Sequence, residues 1–466
     1  MKKISHDLSI LRSPYRYYKD MYIIVFLAII AIITLYFQEI SIAFFGMIAL
    51  LLITFVTRND SEIYGHLIII TIICVGFMLI EYYGAYKYSG TPYFLSGKND
   101  DYRFEYYAQI FSLQTRVTIQ SIQNSYLIKG LPVSNSPGFL WFLAWIIKLA
   151  NNISKYHTII YRIINCSFLI AVGILSYKLF KRKYNNFEIR KCIIVLYCVT
   201  LFPNALYITS YIFRDTFSIF LIFSSFFLFH EIINHRISKA NLIWIVLLTY
   251  FSYWVRNGNF FIIIGLCLIC MITKLKSKKN LWILFPIIII FTIYISFKFN
   301  IDSYIEGFSE FYSNYMNEFG DSFFYRIFTI PILPFGLFFR IAFGLFYPSP
   351  VSVIKIFEMF DNIVAFNTFI TAAGTVLQTY CLPYLVRNFR SMTTFFDSLF
   401  LGFIFVFFTI IITTFGFRHF IMIYPFMFPC ICKEIFVTPP KIRRVYAIST
   451  SLILIIGITI YYLFLR

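Results

Sequence analysis

Apolar segments long enough to cross a membrane recur along the whole chain. Met21–Phe37, Leu67–Ile80 and Ala447–Phe464 are three of them, and polar residues fall mainly between such runs. About 20 predominantly apolar residues in an α-helix cross the roughly 30 Å hydrocarbon core of a bilayer. The pattern predicts an all-α, polytopic integral membrane protein in which no soluble domain of ordinary size remains.

Basic residues in the short polar segments predict which side of the membrane each segment faces. Lys and Arg accumulate in cytoplasmic loops, and Lys181–Lys183, Lys274–Lys279 and Lys441–Arg444 all fall between apolar runs. A cytoplasmic N-terminus and about thirteen spans place these clusters on one side. The predicted spans are 21–37, 40–56, 64–83, 158–180, 192–209, 216–234, 241–255, 260–273, 280–298, 362–386, 394–413, 420–436 and 446–464.

This topology gives the outer face two long loops and divides the chain into three parts. Residues 1–63 are predicted to form a basic cytoplasmic arm and an added helical pair. Residues 64–436 form the membrane core, with outer loops at 84–157 and 299–361. Residues 437–466 form a basic inner loop and the last transmembrane helix.

Two apolar segments within the outer loops do not fit as spans. Gly138–Leu149 is too short, and Ile327–Tyr347 contains Pro331, Pro334 and Arg340. A crossing at the second segment would also reverse the orientation of the basic clusters that follow it. Both segments are expected to be short interfacial or re-entrant helices on the outer face, where irregular backbone lies against protein or a watery cavity.

Composition excludes several classes of function. The chain is 60% hydrophobic and 13% charged, with a net charge of +19. Its basic residues follow the orientation rule and form no tail with interleaved aromatics, so no nucleic-acid partner is expected. The nine cysteines lie in or beside apolar segments, which predicts neither disulfides nor a metal site. No glycine-rich phosphate loop occurs, and no certain cofactor is indicated.

A polar segment, Ser96–Tyr107, separates two apolar regions of the chain. Asp100 and Asp101 are candidate catalytic residues, because a carboxylate can act as the general base that takes a hydroxyl proton. Residues of the same segment whose side chains suit contact with a sugar are Tyr102, Arg103, Tyr106 and Tyr107. The alternative is a surface helix that is N-capped by Asn99, Asp100 or Asp101.

Four arginines are predicted to lie at the outer membrane boundary: Arg214, Arg256, Arg340 and Arg418. A planar guanidinium binds phosphate oxygens through two parallel hydrogen bonds, so these residues are candidates for holding a lipid-linked phosphate or pyrophosphate. Their neighbours Asp215 and His419 are candidates for contact with an acceptor. The alternative for each arginine is an anchor at the membrane surface, and for Asp215 a structural ion pair with Arg214.

These features, in this order, resemble the polytopic glycosyltransferases of superfamily C, which use sugars linked to polyprenyl phosphates. The matching segments are Asp100-Asp101-Tyr102, Ser136-Pro-Gly-Phe-Leu-Trp141, Tyr161-Arg-Ile-Ile-Asn165, Pro203 to Arg214-Asp215, Val255-Arg-Asn257 and Arg418-His-Phe-Ile-Met-Ile-Tyr-Pro425. The acidic loop follows the third predicted span here, whereas it follows the first in that superfamily. The layout is also similar to bacterial O-antigen and capsule repeat-unit polymerases.

The resemblance implies an enzyme of envelope polysaccharide biosynthesis in the bacterial inner membrane. It would transfer a sugar or oligosaccharide from an undecaprenyl-type (pyro)phosphate carrier to a glycan acceptor on the periplasmic face. Asp100 or Asp101 would be the base, and the four arginines would hold the donor phosphate. The implied partners are this lipid-linked donor, the acceptor, the bilayer and other envelope-glycan assembly proteins. The alternatives are a flippase for lipid-linked oligosaccharides and a non-catalytic assembly subunit.

Overall fold

The computed structural model of the chain describes residues 13–58, 60–94, 100–129, 131–234, 239–274, 335–347, 349–390, 396–413 and 417–464. The predicted span 280–298, most of the N-terminal arm and the candidate cap Asn99 lie outside these ranges. Within the described ranges, every regular element is an α-helix or a 3-10 helix, and no strand occurs. The all-α prediction is therefore confirmed for this part of the chain.

Seventeen α-helices, named α1 to α17 in chain order, cover most of the described residues. The first nine are α1 (Ser13–Phe37), α2 (Ile40–Thr57), α3 (Tyr64–Ser89), α4 (Asp100–Ser112), α5 (Ile119–Gln123), α6 (Pro137–Ile153), α7 (Ile159–Lys183), α8 (Ile189–Thr200) and α9 (Pro203–Thr209). The others are α10 (Arg214–Asn234), α11 (Lys239–Val255), α12 (Asn257–Lys274), α13 (Leu337–Phe346), α14 (Ile363–Asn388), α15 (Ser398–Thr413), α16 (Tyr424–Val437) and α17 (Pro440–Phe464). The 3-10 helices are Ser61–Ile63, Tyr126–Ile128, Pro132–Asn135, Pro350–Glu358 and Phe417–Ile423.

The described helices confirm a multi-pass membrane protein but not the predicted count of about thirteen spans. Nine are long and apolar enough to cross a membrane, or ten if α8 and α9 form one span. Two helices at predicted spans are too short to be counted among the nine, since α11 has 17 residues and α15 has 16. Leu337–Ile354 is among the nine, and it overlaps the segment Ile327–Tyr347 that the sequence analysis excluded as a span. Its regular α-helix, α13, has 10 residues and is thus about 15 Å long.

Helix α7 is the most deeply buried of the candidate spans in the described part of the chain. Every residue from Ile159 to Phe180 is buried, and α2, α3, α8, α10 and α16 all contact this helix. Gly173 permits the close approach of α8, because a Cβ at this position would lie 2.2 Å from Thr200 Cγ2. A helix that is apolar on nearly every face is expected to be buried on all sides, and α7 is.

The predicted span 192–209 is bent rather than straight. Helices α8 and α9 meet at an angle of 49°, and Pro203 is the first residue of α9. Proline lacks an N–H and disfavours helical backbone at the residue before it, and Phe202 accordingly has extended backbone. The bend directs residues 210–213, which follow α9, into the interior, where all four are buried.

The two ends of the helix bundle differ in charge. At one end, basic residues in the last turns of α7 pair with acids of the loops that join α2 to α3 and α14 to α15. Lys178 Nζ lies 3.1 Å from Asp60 Oδ2, and Lys183 Nζ lies 2.7 Å from Asp397 Oδ1. The predicted cytoplasmic cluster 181–183 lies at this end. The N-termini of α4, α10 and α12 lie at the opposite end.

Helices α4 and α6 pack against each other at this opposite end. Gly90 terminates α3 with φ 74°, a left-handed conformation that favours glycine, and the chain then turns towards α4. Trp141 and Trp145 on α6 both donate from Nε1 to the Val117 carbonyl, at 3.1 and 3.3 Å. The interfacial helix predicted over 138–149 is thus a longer helix of 17 residues, fixed to the preceding loop.

Gly138 marks the close approach of α6 to α11. A Cβ at this position would lie 2.6 Å from the backbone carbonyl carbon of Trp254. We expect Gly138→Ala to lower the thermal midpoint of the purified protein in detergent, because overpacking costs about 1–3 kcal/mol. Gly76→Ala is the matched control, since an added Cβ there meets nothing within 4 Å. Equal midpoints for the two variants would contradict this packing.

Candidate functional site

Asp215 lies at the centre of a cluster of charged side chains where α10 begins. Its carboxylate is only 1% exposed. Oδ1 lies 2.9 Å from His419 Nδ1 and 3.6 Å from Arg256 Nη1, and Oδ2 lies 3.2 Å from Arg418 Nε. A buried carboxylate is tolerated when it is paired and hydrogen-bonded. Burial favours a role for Asp215 in holding these basic groups, rather than the direct acceptor contact that the sequence analysis predicts.

Arg418 joins Asp215 to the first polar loop. Its Nη2 donates to Asp100 Oδ2 at 2.8 Å, and its guanidinium carbon lies 4.6 Å from the centroid of the Phe213 ring. Arg418 belongs to the 3-10 helix Phe417–Ile423, which packs against α10 and α15. Two segments 318 residues apart in sequence therefore meet through one guanidinium.

His419 and Arg256 form the second side of the cluster. Arg256 lies at the junction of α11 and α12, and its Nη1 is 3.3 Å from His419 Nδ1. A carboxylate oxygen only accepts hydrogen bonds, so we assign the ring proton to Nδ1, which donates to Asp215. In this neutral tautomer, Nε2 of His419 keeps a lone pair and can accept a hydrogen bond from a ligand.

Arg214 is the first residue of α10 and lies beside the same two carboxylates. Its Nη1 donates to Ser136 Oγ, and its guanidinium carbon is 5.6 Å from the centroid of the Phe104 ring. The buried Nε has no hydrogen-bond partner among the residues that the structure describes. Within the described part of the chain, the cluster's carboxylates pair with Arg256, Arg418 and His419 and not with Arg214. The charge of Arg214 is therefore not paired with a carboxylate in this part of the chain.

The two adjacent acids of the first loop have different environments. Asp101 is fully buried: Oδ2 accepts from the Phe94 N–H at 2.8 Å, and Oδ1 accepts from the Tyr102 N–H at 2.9 Å. Asp100, the first residue of α4, keeps 25% of its side chain exposed and faces Arg418. Asp101 therefore ties the chain before α4 to this helix, and Asp100 is the acid that a ligand can reach.

The protonation of the two acids also differs. Burial raises the pKa of the Asp101 carboxyl to about 6, although the backbone N–H of Phe94 and the charge of Arg162 oppose this effect. Burial acts on Asp100 too, but the positive charges of Arg418 and Arg214 outweigh it and hold the pKa of Asp100 below its ordinary value. Asp100 is therefore ionised at neutral pH.

The candidates for binding sugar lie on α4, together with Asp100. Tyr102 and Tyr106 are one turn apart and are 37% and 46% exposed, and their rings stack with centroids 5.8 Å apart. Tyr107 packs against the core, and Arg103 is partly exposed. Of the four, Tyr102 and Tyr106 thus present an aromatic surface on the helix that carries Asp100.

Arg340 is not brought into contact with the acids of the cluster. It lies in α13 with 4% of its surface exposed, and its Nη1 donates to the Ile412 carbonyl at 3.1 Å. This carbonyl is among the last four of α15, which have no partner within the helix. Neither Asp100 nor Asp215 pairs with Arg340 among the described residues.

Three buried polar residues next to the cluster were not among the predicted site residues. Ser136 Oγ accepts a hydrogen bond from Arg214, Glu105 Oε1 accepts from Thr158 Oγ1 at 2.9 Å, and Arg162 is fully buried near the start of α7. Arg162 had a signal in the sequence, because a charged residue inside a predicted span usually faces the protein interior and marks a functional region.

No family model, curated protein or solved structure matches the chain. The resemblance to superfamily C therefore stays a prediction. Among the described residues, no group of three His, Cys, Asp or Glu side chains is placed to hold a metal ion, and all nine cysteines are free.

The raised pKa of Asp101 leads to a prediction about stability. In Asp101→Asn, an NH2 group replaces one carboxylate oxygen and faces a backbone N–H. Two donors cannot bond to each other, so one hydrogen bond is lost at a cost of about 1–3 kcal/mol. Because the native pKa of about 6 exceeds the ordinary 3.8, the native state binds this proton more tightly than the unfolded state. The contribution of Asp101 to stability therefore falls as pH rises from about 4 to about 6.

The measurement is the thermal midpoint of wild type and Asp101→Asn across this range. The advantage of the wild type should shrink between about pH 4 and pH 6 and stay constant above. An advantage that grows with pH would refute the raised pKa.

Proposed function

We propose that this protein is a glycosyltransferase that moves a sugar or an oligosaccharide from a polyprenyl-(pyro)phosphate carrier to a glycan acceptor. The observation that carries the proposal is the meeting of Asp100, Asp215, Arg214, Arg256 and Arg418 at one end of the helix bundle. A lipid-linked phosphate presents its charge at the surface of the bilayer while its tail stays in the hydrocarbon. An arginine-rich cluster at the end of membrane-spanning helices suits that substrate.

The donor phosphate is assigned to the three clustered arginines. Among the described residues, the buried Nε of Arg214 has no hydrogen-bond partner, and the charges of Arg256 and Arg418 act on Arg214. A bound phosphate would share their donors with Asp215, whose pairs with these arginines span 3.6 and 3.2 Å. Donors fixed in advance at low dielectric stabilise the negative charge that develops on the leaving oxygen.

Asp100 is favoured over Asp101 as the general base. Both oxygens of Asp101 accept backbone N–H groups, whereas Asp100 is partly exposed. In an inverting transfer, the acceptor hydroxyl oxygen bonds to the anomeric carbon and its proton passes to Asp100. The bond from that carbon to the phosphate oxygen breaks, and its electron pair leaves with the phosphate. A phosphate is a good leaving group, so a second acid is not required.

The orientation of the chain is part of the proposal. The paired basic residues at the end that carries Lys178 and Lys183 suit the cytoplasm, and the charged cluster lies at the opposite end. We assign the cluster to the periplasmic side of a bacterial inner membrane, with the N-terminus in the cytoplasm and about thirteen spans in all. Tyr102 and Tyr106 would then face the acceptor glycan.

Asp100→Asn tests the base assignment. Loss of a general base lowers turnover by about 10²–10⁴-fold, so we expect surface glycan to be lost in a deletion strain of the source organism complemented with this variant. Asp361→Asn is the control, because Asp361 is exposed and outside the cluster. It should restore the wild-type glycan.

The glycan and lipid profiles of the same strains separate the candidate functions. A single repeat unit in the strain with Asp100→Asn indicates a polymerase, and a truncated repeat indicates a single-sugar transferase. The enzyme would be rejected in favour of a flippase by two results together. Asp100→Asn would complement fully, and lipid-linked repeats would be trapped on the inner face only in the uncomplemented strain.

Arg214→Lys tests the phosphate assignment. Lysine keeps the charge but loses the planar fork, so we expect undecaprenyl pyrophosphate to bind the purified protein in nanodiscs about tenfold more weakly or worse. Arg116→Lys is the matched control, because Arg116 is an exposed residue of the first outer loop. Equal affinity of the two variants for this probe would remove Arg214 from the donor site.

A further inference from the structure

Arg162, near the start of the central helix, is hydrogen-bonded to two loops. Its Nη1 donates to the Ser210 carbonyl at 2.6 Å, and its Nη2 donates to the Pro92 carbonyl. Its guanidinium carbon lies 5.4 Å from the Tyr82 ring centroid and 5.2 Å from that of Tyr211. One fully buried side chain therefore ties two loops that are remote in sequence to the same point of the bundle.

The first of these loops leads to Asp100. Two residues after Pro92, the Phe94 N–H donates to Asp101 Oδ2 at 2.8 Å, and Asp101 follows Asp100 at the start of α4. Asp100 then meets Arg418 at 2.8 Å. The position of Asp100 relative to the bundle therefore depends on where the Pro92 carbonyl is held.

The second loop leads to Asp215. Residues 210–213 connect α9 to α10, and Asp215 is the second residue of α10. Arg162 holds the Ser210 carbonyl, and Asn165, one turn further along α7, donates from Nδ2 to the Tyr211 carbonyl at 2.8 Å. Two of the four carbonyls of this buried loop are thus bound by polar side chains of α7.

We infer that Arg162 is a positioning residue, which sets the relative placement of the two carboxylates of the candidate site, Asp100 and Asp215. The planar fork of a guanidinium can donate to two carbonyls in fixed directions, and a lysine ammonium is a compact charge on a flexible stem. The role of Arg162 in catalysis rests on the proposed function. Its role in anchoring the two loops does not.

Acidic groups buried near Arg162 compensate for the cost of burying its positive charge. Tyr211 OH, beside the guanidinium, donates to Glu81 Oε2 at 2.7 Å. The charge of Arg162 also acts on the buried carboxyls of Asp101 and Glu105. A buried cation is retained where such compensation exists, so replacement of Arg162 by a neutral residue would disturb these acids as well. Lysine is therefore the more informative substitution.

Hydrogen exchange of the full chain in nanodiscs tests the anchoring. In Arg162→Lys, the amides of 90–94 and of 210–213 should both exchange at least about tenfold faster, because both loops lose a tether. Arg182→Lys is the matched control, since Arg182 lies at the other end of α7 and is partly exposed. Faster exchange in neither loop, or in one loop only, would overturn the inference.

Asn165→Ala is a milder variant that tests the inference even if Arg162→Lys folds poorly. It removes the contact with Tyr211 and leaves the Pro92 contact intact. Exchange should therefore quicken in 210–213 and stay unchanged in 90–94. Equal acceleration in both loops would mean that the two are not held separately by α7, which contradicts the proposed arrangement.

The pH dependence of transfer separates positioning from loss of stability. Asp100 is acted on by Arg418 and Arg214, and by Asp215 with the opposite sign. When Arg162→Lys loosens the Asp100–Arg418 pair, the pKa of Asp100 rises. The acid limb of activity should then move up by about one pH unit. A variant that is only less stable would have a lower maximal activity, and the acid limb of its pH profile would not move. That result would overturn the positioning role.

Membranes of the deletion strain, which contain the native lipid-linked substrates, serve for this assay after the variant is added. If the wild type transfers no sugar there, the proposed function fails. The exchange result still decides whether Arg162 anchors both loops, so the two failures are distinguishable.

Discussion

A cation without access to water constrains the half of this molecule that contains the charged cluster. A buried guanidinium is costly unless its donors find acceptors, and Nη1 and Nη2 of Arg162 find backbone carbonyls of two loops. The bend at Pro203 brings one loop into reach, and the left-handed turn at Gly90 precedes the other. The two acids of the charged cluster, Asp100 and Asp215, follow these loops, so their placement depends on how this one charge is solvated.

Charges of opposite sign alternate through the cluster. Asp100 pairs with Arg418, which pairs with Asp215, which in turn holds His419 and Arg256. Such a chain of pairs orients every member before any ligand arrives, which reduces the reorganisation needed on binding. In the proposed enzyme, the phosphate would enter an arrangement that is already ordered.

The sequence was sufficient to predict the helical fold of the described residues and a shared position for Arg214, Arg256 and Arg418, because polar residues at the ends of apolar runs have to share a boundary. Arg340 was predicted to join them, but it binds the Ile412 carbonyl instead of the acids of the cluster. It could not distinguish Asp100 from Asp101: successive residues of a helix point about 100° apart, and only the packing of α4 decides which one is buried. The role of Arg162 was not predicted for a different reason. This residue lies within an apolar run, and its buried contacts depend on the bend between α8 and α9.

The two sides of the cluster belong to different parts of the architecture. Asp100, Tyr102 and Tyr106 lie on α4, which packs on α6, whereas Arg214 and Arg256 lie at the ends of the long helices. In the proposed enzyme, the segment 90–153 binds the acceptor, and the helix bundle binds the carrier lipid. Exchanging this segment between enzymes of that kind would change the glycan being built while the same isoprenoid carrier continued to be used.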